Sequence, residues 1–200
     1  MKPIELVVLA SGRGTNYEAI ALAIEEERLS GRIKAVISDK ENAPVLDKAR
    51  SKGIETIFVD PKENNFEERL IAACKQFSPD YICLAGFMRI LRKGFIEAFR
   101  DQIINIHPSL LPAFPGLKAQ EQAFNYGVKY SGCTVHFVDE GMDSGPIIAQ
   151  SVVPVKERDA LKDLTERILR EEHTLFPQVL QLLAEKRVEL KGRKVVILDE

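Results

Sequence analysis

The sequence contains few of the residues and segments that mark several protein classes. Its 200 residues include no tryptophan and three cysteines, and no apolar run approaches the ~18 residues of a membrane helix. Cys74, Cys83 and Cys133 have no CxxC spacing and lie among apolar residues, so we expect buried thiols rather than disulfides or metal ligands. The N-terminus lacks the long apolar region of a signal peptide, which favours a cytoplasmic protein.

An excess of charge of one sign is also missing. The 28 Lys and Arg residues nearly balance the 30 Asp and Glu residues, and the formal net charge is −2. This balance gives no electrostatic reason to expect nonspecific binding to nucleic acid or to an anionic membrane. With 45% hydrophobic residues, 12 Gly and 10 Pro, the composition excludes disordered and collagen-like chains. The length predicts a single domain over residues 1–200.

Short apolar runs alternate with amphipathic stretches along the chain. The predicted strands are 4–10, 33–37, 54–59, 81–84, 103–106, 133–138 and 147–155, and the predicted helices are 17–28, 45–51, 66–77, 117–126 and 159–183. Residues 188–198 are predicted to form a hairpin. The alternation favours parallel strands joined by right-handed crossovers. We therefore predict an α/β fold with a Rossmann-like, mostly parallel twisted sheet and helices on both faces.

A loop of sequence SGRGTN, residues 11–16, separates the first strand from the first helix. Its two glycines allow close approach to the backbone, and a helix N-terminus favours an anion, so the loop is typical of a single-phosphate site. Tyr17 stands where a dinucleotide fingerprint needs glycine, and no Walker lysine follows Gly14. The alternative interpretation is a tight turn capped by Thr15 or Asn16.

Asn105 and His107 lie two residues apart at the end of an apolar strand, so their side chains face the same side. An amide N–H and a protonated imidazole can donate jointly to one oxyanion, and the histidine can act as acid or base. A carboxylate beside His107 would favour the imidazolium and orient the ring. Asp143, Asp139 and Glu140 are all candidates for that carboxylate. The alternative is a histidine that is simply hydrogen-bonded at a strand end.

Two further polar residues interrupt apolar patterns. Glu172 falls between Ile168 and Leu175 in the apolar stripe of the long helix, where it either reaches solvent or contacts a ligand. His136 lies inside the apolar strand TVHFV and is interpreted as structural. His107, His136 and nearby acidic residues show no metal-ligand spacing, so no metal site is expected.

Four segments together resemble the glycinamide ribonucleotide transformylase family, the folate-dependent phosphoribosylglycinamide formyltransferases of purine (IMP) biosynthesis. They are VVLASGRGTN, LAGFMRIL, NIHPSLLPAFPG and GCTVHFVDEGMDSGPIIAQ, and the resemblance covers most of the chain. It implies a formyltransferase fold with a phosphate-binding Rossmann-like half over 1–100 and a catalytic, folate-binding half over 101–200. The implied reaction transfers the formyl group of 10-formyltetrahydrofolate to glycinamide ribonucleotide without a metal.

The resemblance also implies roles for individual residues. Asn105, His107 and Asp143 match the catalytic trio, in which Asn105 and His107 stabilise an oxyanion and Asp143 assists His107. The substrate positions are Gly14, Thr15, Asn16 and Glu172, and the folate positions are Met88, Arg89, Ile90, Leu91, Asn105, Asp139, Glu140, Gly141, Met142 and Asp143. The implied partners are these two small molecules, with no nucleic acid or membrane, and the implied state is a monomer or weak homodimer.

The chain departs from the family pattern at a few positions. Lys118 and Gln120 stand where many relatives have histidines, and Leu169 occupies a position that is polar in some relatives. Lys62 is a weak substitute for an arginine that some members direct toward the folate tail.

Three other functions fit part of the pattern. Methionyl-tRNA formyltransferases and formyltetrahydrofolate hydrolases share the trio but carry additional domains, for which 200 residues leave no room. A noncatalytic nucleotide-binding module explains the glycine loop and leaves the trio without a role.

Overall fold

A computed structural model describes residues 2–199, and its elements follow the predicted alternation. The strands are β1 (Ile4–Leu9), β2 (Gly31–Ser38), β3 (Glu55–Phe58), β4 (Tyr81–Leu84), β5 (Ile103–His107), β6 (Tyr130–Phe137), β7 (Ile147–Pro154), β8 (Val188–Lys191) and β9 (Lys194–Ile197). The helices are α1 (Thr15–Glu25), α2 (Pro44–Ser51), α3 (Phe66–Lys75), α4 (Lys93–Ala98), α5 (Ala119–Tyr126) and α6 (Leu161–Ala184). The short helix α4 was not predicted from the sequence.

Seven strands form one sheet in the order β3-β2-β1-β4-β5-β6-β7, and β8 pairs with β9 in a separate hairpin. The first five strands along the chain pair in parallel, whereas β6 is antiparallel to both β5 and β7. The predicted mostly parallel α/β sheet is therefore confirmed, with an antiparallel edge.

Alternating side chains divide the buried residues between two apolar cores on opposite faces of the sheet. The first core joins α1, α2 and α6 to strand residues such as Ile104 and Val135. The second joins α3 and α4 to residues such as Ile82 and Ile103, and it includes no buried residue of β6. The helical cover on this second face therefore ends before β6. Loops close over the remaining part.

The three cysteines are buried and unpaired, which confirms the prediction from their apolar neighbours. Burial raises the pKa of the Cys74 thiol to about 12, so this sulfur stays protonated and unreactive near neutral pH. No helix within residues 2–199 is long and apolar enough to cross a membrane.

Gly132 in β6 provides a test of how tightly the antiparallel edge is packed. A Cβ atom at this position would lie 1.9 Å from the carbonyl oxygen of Ser151 and 2.8 Å from a methyl group of Leu110. We expect Gly132→Ala to lower the free energy of unfolding by about 1–3 kcal/mol, measured by urea denaturation. Gly31→Ala is the matched control, because the Cβ there meets its neighbours at 3.4 Å or more. Equal stability of the two variants would contradict the expectation.

Candidate active site

Asn105 and His107 project from the same face of β5, as their spacing predicts. In the antiparallel register Asn105 lies opposite His136, and His107 lies opposite Thr134. Because directly paired residues share a face of the sheet, these four side chains form one polar patch between two otherwise apolar strands. The patch occupies the part of the second face that the helices do not cover.

His136 is a member of this patch, although the sequence interpretation made it structural. Its Nδ1 lies 2.7 Å from the carbonyl oxygen of Phe137, so Nδ1 carries the proton. Burial lowers the pKa of His136 and keeps the ring neutral. Its Nε2 therefore accepts a hydrogen bond of 3.1 Å from Nδ2 of Asn105. This contact fixes which end of the Asn105 amide is the donor.

His107 lies between two hydrogen-bond acceptors and is 5% exposed. Its Nε2 lies 2.9 Å from the carbonyl oxygen of Phe114 and donates to it, while Nδ1 lies 3.4 Å from Oδ2 of Asp143. The imidazole is therefore held between a carbonyl oxygen and a carboxylate oxygen.

Asp143 reaches this strand from a loop that starts at the opposite edge of the sheet. Because β6 runs antiparallel to β5, the loop that follows β6 starts beside Ile103, at the beginning of β5. There the N–H of Val138 donates to the carbonyl oxygen of Ile103 at 3.0 Å. Oδ2 of Asp143 accepts from the N–H of Gly116 at 2.7 Å, and Oδ1 lies 3.5 Å from Nδ2 of Asn105. Asp143 has a φ of +50°, which these contacts hold in place. Of the three carboxylates considered, Asp143 is the one beside the histidine.

Asp139 holds the rest of this loop, residues 139–144, through side-chain hydrogen bonds. Its Oδ1 accepts from the N–H of Gly141 at 3.1 Å and from the hydroxyl of Ser144 at 2.6 Å. Arg193, at the tip of the β8–β9 hairpin, donates to the carbonyl of Ser144 and lies 3.9 Å from the carboxylate of Asp139. The hairpin itself packs its apolar face on the first core. A segment far along the chain therefore holds the loop that carries Asp143.

The SGRGTN loop makes a close turn into α1. Gly14 has a φ of +74°, and a Cβ there would lie 2.4 Å from Cγ2 of Val45. Glycine is required at this position for both reasons. The helix begins at Thr15 with Gly14 as its N-cap and no side-chain capping bond. The alternative of a Thr15 or Asn16 cap is therefore wrong.

Asn16 instead links the start of α1 to Glu172 on α6. Its Nδ2 donates to Oε2 of Glu172 at 2.8 Å, and its own buried Oδ1 has no partner among the described residues. Glu172 is 6% exposed, and burial raises its pKa to about 7, opposed in part by the Asn16 bond. An unpartnered amide oxygen and a protonatable carboxyl suit a ligand that carries hydroxyl groups.

The loop that follows β4 exposes large apolar side chains next to these polar groups. Met88 is 56% exposed and Ile90 is 78% exposed. Both residues line a cleft of about 910 Å³ between residues 88–92 and 61–70, whose charged lining is mixed: Lys62, Arg89, Arg92, Glu63, Glu67 and Glu68. Asn105, His107 and Asp143 do not line this cleft. It adjoins the loop that follows β4 and offers room beside it.

Residues 4–180 match the family described as formyl transferase. The chain belongs to the formyl transferase family. It is 43% identical over 183 residues to a phosphoribosylglycinamide formyltransferase of Bacillus subtilis, covering 90% of this chain and 94% of that protein. It is 44% identical to the human trifunctional purine biosynthetic protein adenosine-3 over 94% of this chain, and it spans 19% of that protein. The predicted family is thus confirmed.

Solved structures agree with this membership of the formyl transferase family. A glycinamide ribonucleotide transformylase from Symbiobacterium toebii superposes with a TM-score of 0.95 at 48% identity, over 99% of this chain and 95% of that chain. A formyltetrahydrofolate deformylase from Pseudomonas syringae superposes with a TM-score of 0.92 at 30% identity, over 98% of this chain and 66% of that chain. The fold thus accommodates both transfer and hydrolysis.

The structure brings some of the predicted residues together and leaves others apart. Asn105, His107 and Asp143 converge, and so do Asn16 and Glu172. Lys118 instead pairs with Glu121 at 3.1 Å in solvent. Gln120 lies in the first turn of α5, and Leu169 is half-buried on α6. No group of three or more potential metal ligands is found among residues 2–199.

The buried carboxyl of Glu172 predicts a pH-dependent stability. Its pKa is raised from 4.5 to about 7 in the folded protein, so folding favours the protonated form. That contribution is fully present below pH ~4.5 and is lost as the pH rises through 7, by on the order of 3 kcal/mol.

The measurement is the free energy of unfolding of the wild type and of Glu172→Gln at several pH values. We expect the wild type to lose stability relative to Glu172→Gln between pH 4.5 and 7. Glu166→Gln, at an exposed position on the same helix, serves as the control. A pH-independent difference between the wild type and Glu172→Gln would show that Glu172 titrates normally.

Proposed function

We propose that this chain transfers the formyl group of 10-formyltetrahydrofolate to the amine of glycinamide ribonucleotide in purine biosynthesis. The observation that carries the proposal is the convergence of Asn105, His107 and Asp143 on one face of β5 in a member of the formyl transferase family. The products are formylglycinamide ribonucleotide and tetrahydrofolate. On this proposal the enzyme is a phosphoribosylglycinamide formyltransferase, like the Bacillus subtilis relative that it matches over nearly its full length.

The trio acts on the formyl carbon. The uncharged amine adds to this carbon, and the carbonyl oxygen becomes an oxyanion that the amide of Asn105 and protonated His107 stabilise. His107 would donate from Nδ1, because its Nε2 already donates to Phe114. The proton that the attacking amine loses passes to Asp143, directly or through water. The bond from carbon to N10 of the folate then breaks, and N10 takes up a proton. Neither a metal nor a nucleophilic side chain enters these steps.

The substrates are assigned to the two regions beside the trio. The turn at Gly14, Thr15 and Asn16 receives the phosphate through backbone N–H groups, and Glu172 contacts the ribonucleotide. Met88, Arg89, Ile90 and Leu91 form one wall of the folate pocket, and Asp139, Glu140, Gly141 and Met142 form the other. The exposed Met88 and Ile90 side chains support this assignment, because they offer apolar surface to a pterin ring. Lys62 lines the adjoining cleft, where it can meet the folate tail.

Hydrolysis of the formyl donor is the second candidate function, because the fold of the formyltetrahydrofolate deformylase is so similar to the fold of this chain. Water would then replace the amine. The buried Asn16–Glu172 pair favours transfer, since hydrolysis gives these groups no ribonucleotide to bind.

The deciding assay follows loss of the formyl group from 10-formyltetrahydrofolate with and without glycinamide ribonucleotide, with mass analysis of the products. Loss that requires the ribonucleotide, with formyl found on its amine, supports the transferase. Loss without it identifies a hydrolase. No loss in either case contradicts formyl chemistry altogether.

Removing either oxyanion donor is expected to be severe. We expect Asn105→Ala and His107→Ala each to lower kcat by about 100- to 1,000-fold, because a preorganised donor to the oxyanion is lost. The control is Asn125→Ala, which removes the same type of side chain from an exposed position on α5. Near wild-type turnover in either active-site variant, measured on folded protein, would refute this mechanism.

The remaining predictions belong to the same proposal. They are a cytoplasmic location, a monomer or weak homodimer, no nucleic-acid or membrane partner, and the division into halves at residues 1–100 and 101–200. Residues 1 and 200 lie outside the part of the chain that the structure describes.

A further inference from the structure

Two side chains without an assigned role, Ser11 and Asp39, connect the ends of three neighbouring strands. Asp39 follows β2, Ser11 lies just beyond β1, and Met88 and Arg89 lie just beyond β4. Oδ1 of Asp39 accepts from the hydroxyl of Ser11 at 2.5 Å, and Oδ2 accepts from Nε of Arg89 at 2.9 Å. The Ser11 oxygen accepts in turn from the backbone N–H of Met88 at 2.9 Å. The four residues form one continuous network.

The carboxylate at the centre of this network is buried, with 1% of its side chain exposed. A buried carboxylate is stable only when charge and hydrogen-bond donors compensate it. Here one donor belongs to the SGRGTN loop and the other to the loop after β4. The carboxylate thus needs both loops in their observed positions.

We propose that Asp39 is a positioning residue that holds the 86–91 loop in register with the 11–16 loop. The inference rests on the proposed function, in which the first loop lines the folate pocket and the second receives the phosphate. Asp39 touches neither reacting group in this scheme. It sets the relative position of the two substrates by fixing the backbone of Met88 through Ser11 and the side chain of Arg89 directly.

Backbone contacts alone leave this register weakly determined. The N–H of Ser11 donates to the carbonyl of Gly86 at 3.0 Å, which joins the two loops at one point. The loop continues beyond it with exposed Met88 and Ile90, and the next tie is the N–H of Met88 to Ser11. Ser11 donates its single proton to Asp39, so its lone pairs face Met88. Asp39 therefore orients the hydroxyl that holds the loop.

The test uses Asp39→Asn, Ser11→Ala and the double variant, with Ser38→Ala as the control. Ser38 is equally buried at the end of β2, but its hydroxyl accepts from the N–H of Lys40 and lies outside the network. The first readout is amide hydrogen exchange in residues 86–91 of the free protein. We expect exchange there to rise severalfold in Asp39→Asn and Ser11→Ala, with wild-type exchange in Ser38→Ala.

The second readout separates KM from kcat in the formyl-transfer assay. We expect KM for 10-formyltetrahydrofolate to rise about tenfold in Asp39→Asn, as for loss of a hydrogen bond to a charged group, with kcat within about threefold of wild type. The double variant should show no more than the larger single effect, because both changes break one chain of bonds. If Asp39→Asn folds poorly, Ser11→Ala tests the same chain of hydrogen bonds.

Unchanged exchange and unchanged KM in both single variants would overturn the inference. Additive effects in the double variant, or equal changes in Ser38→Ala, would also overturn it by showing general destabilisation. These outcomes require an active wild type. A wild type that transfers no formyl group overturns the proposed function instead, while the exchange measurement still tests the loop register.

Discussion

The antiparallel pairing of β5 with β6 is the constraint on which the site depends. Each of these strands buries every second side chain in the first core, so the intervening residues must all face the opposite side of the sheet. The helices on that side end before β6. Polar residues are tolerated there because loops rather than a helical layer cover them. The candidate catalytic groups thus lie where the two-layer packing is incomplete.

Buried and half-buried carboxyl groups then connect segments that are distant in sequence. Asp143 receives the N–H of Gly116, Glu172 receives the amide of Asn16, and Asp39 receives donors from two loops. Each carboxyl group is at least partly desolvated and has donors from another part of the chain, so separating the segments leaves an uncompensated polar group. The same interactions that position the candidate ligands therefore also stabilise the folded loops.

Much of this arrangement could be predicted from local patterns. The spacing of Asn105 and His107 predicts a shared face, and the interruption of an apolar stripe marks Glu172 as unusual. The contact between His136 and Asn105 could not be predicted, because it depends on a strand register that periodicity does not define. The available signal for a polar face on β6 was the alternation of Thr134 and His136 with apolar residues. Asp39 carries no such signal, since a carboxylate after a strand usually faces solvent.

The β8–β9 hairpin lies beyond the residues matched to the family, yet its tip touches the loop that carries Asp143. Its apolar face packs on the core and Arg193 contacts Ser144 and Asp139, so the hairpin connects the last strand to this loop. An affinity tag or fusion partner attached after the last strand would pull on this short arm. Activities of protein immobilised or labelled through that end therefore report on the attachment as well as on the enzyme.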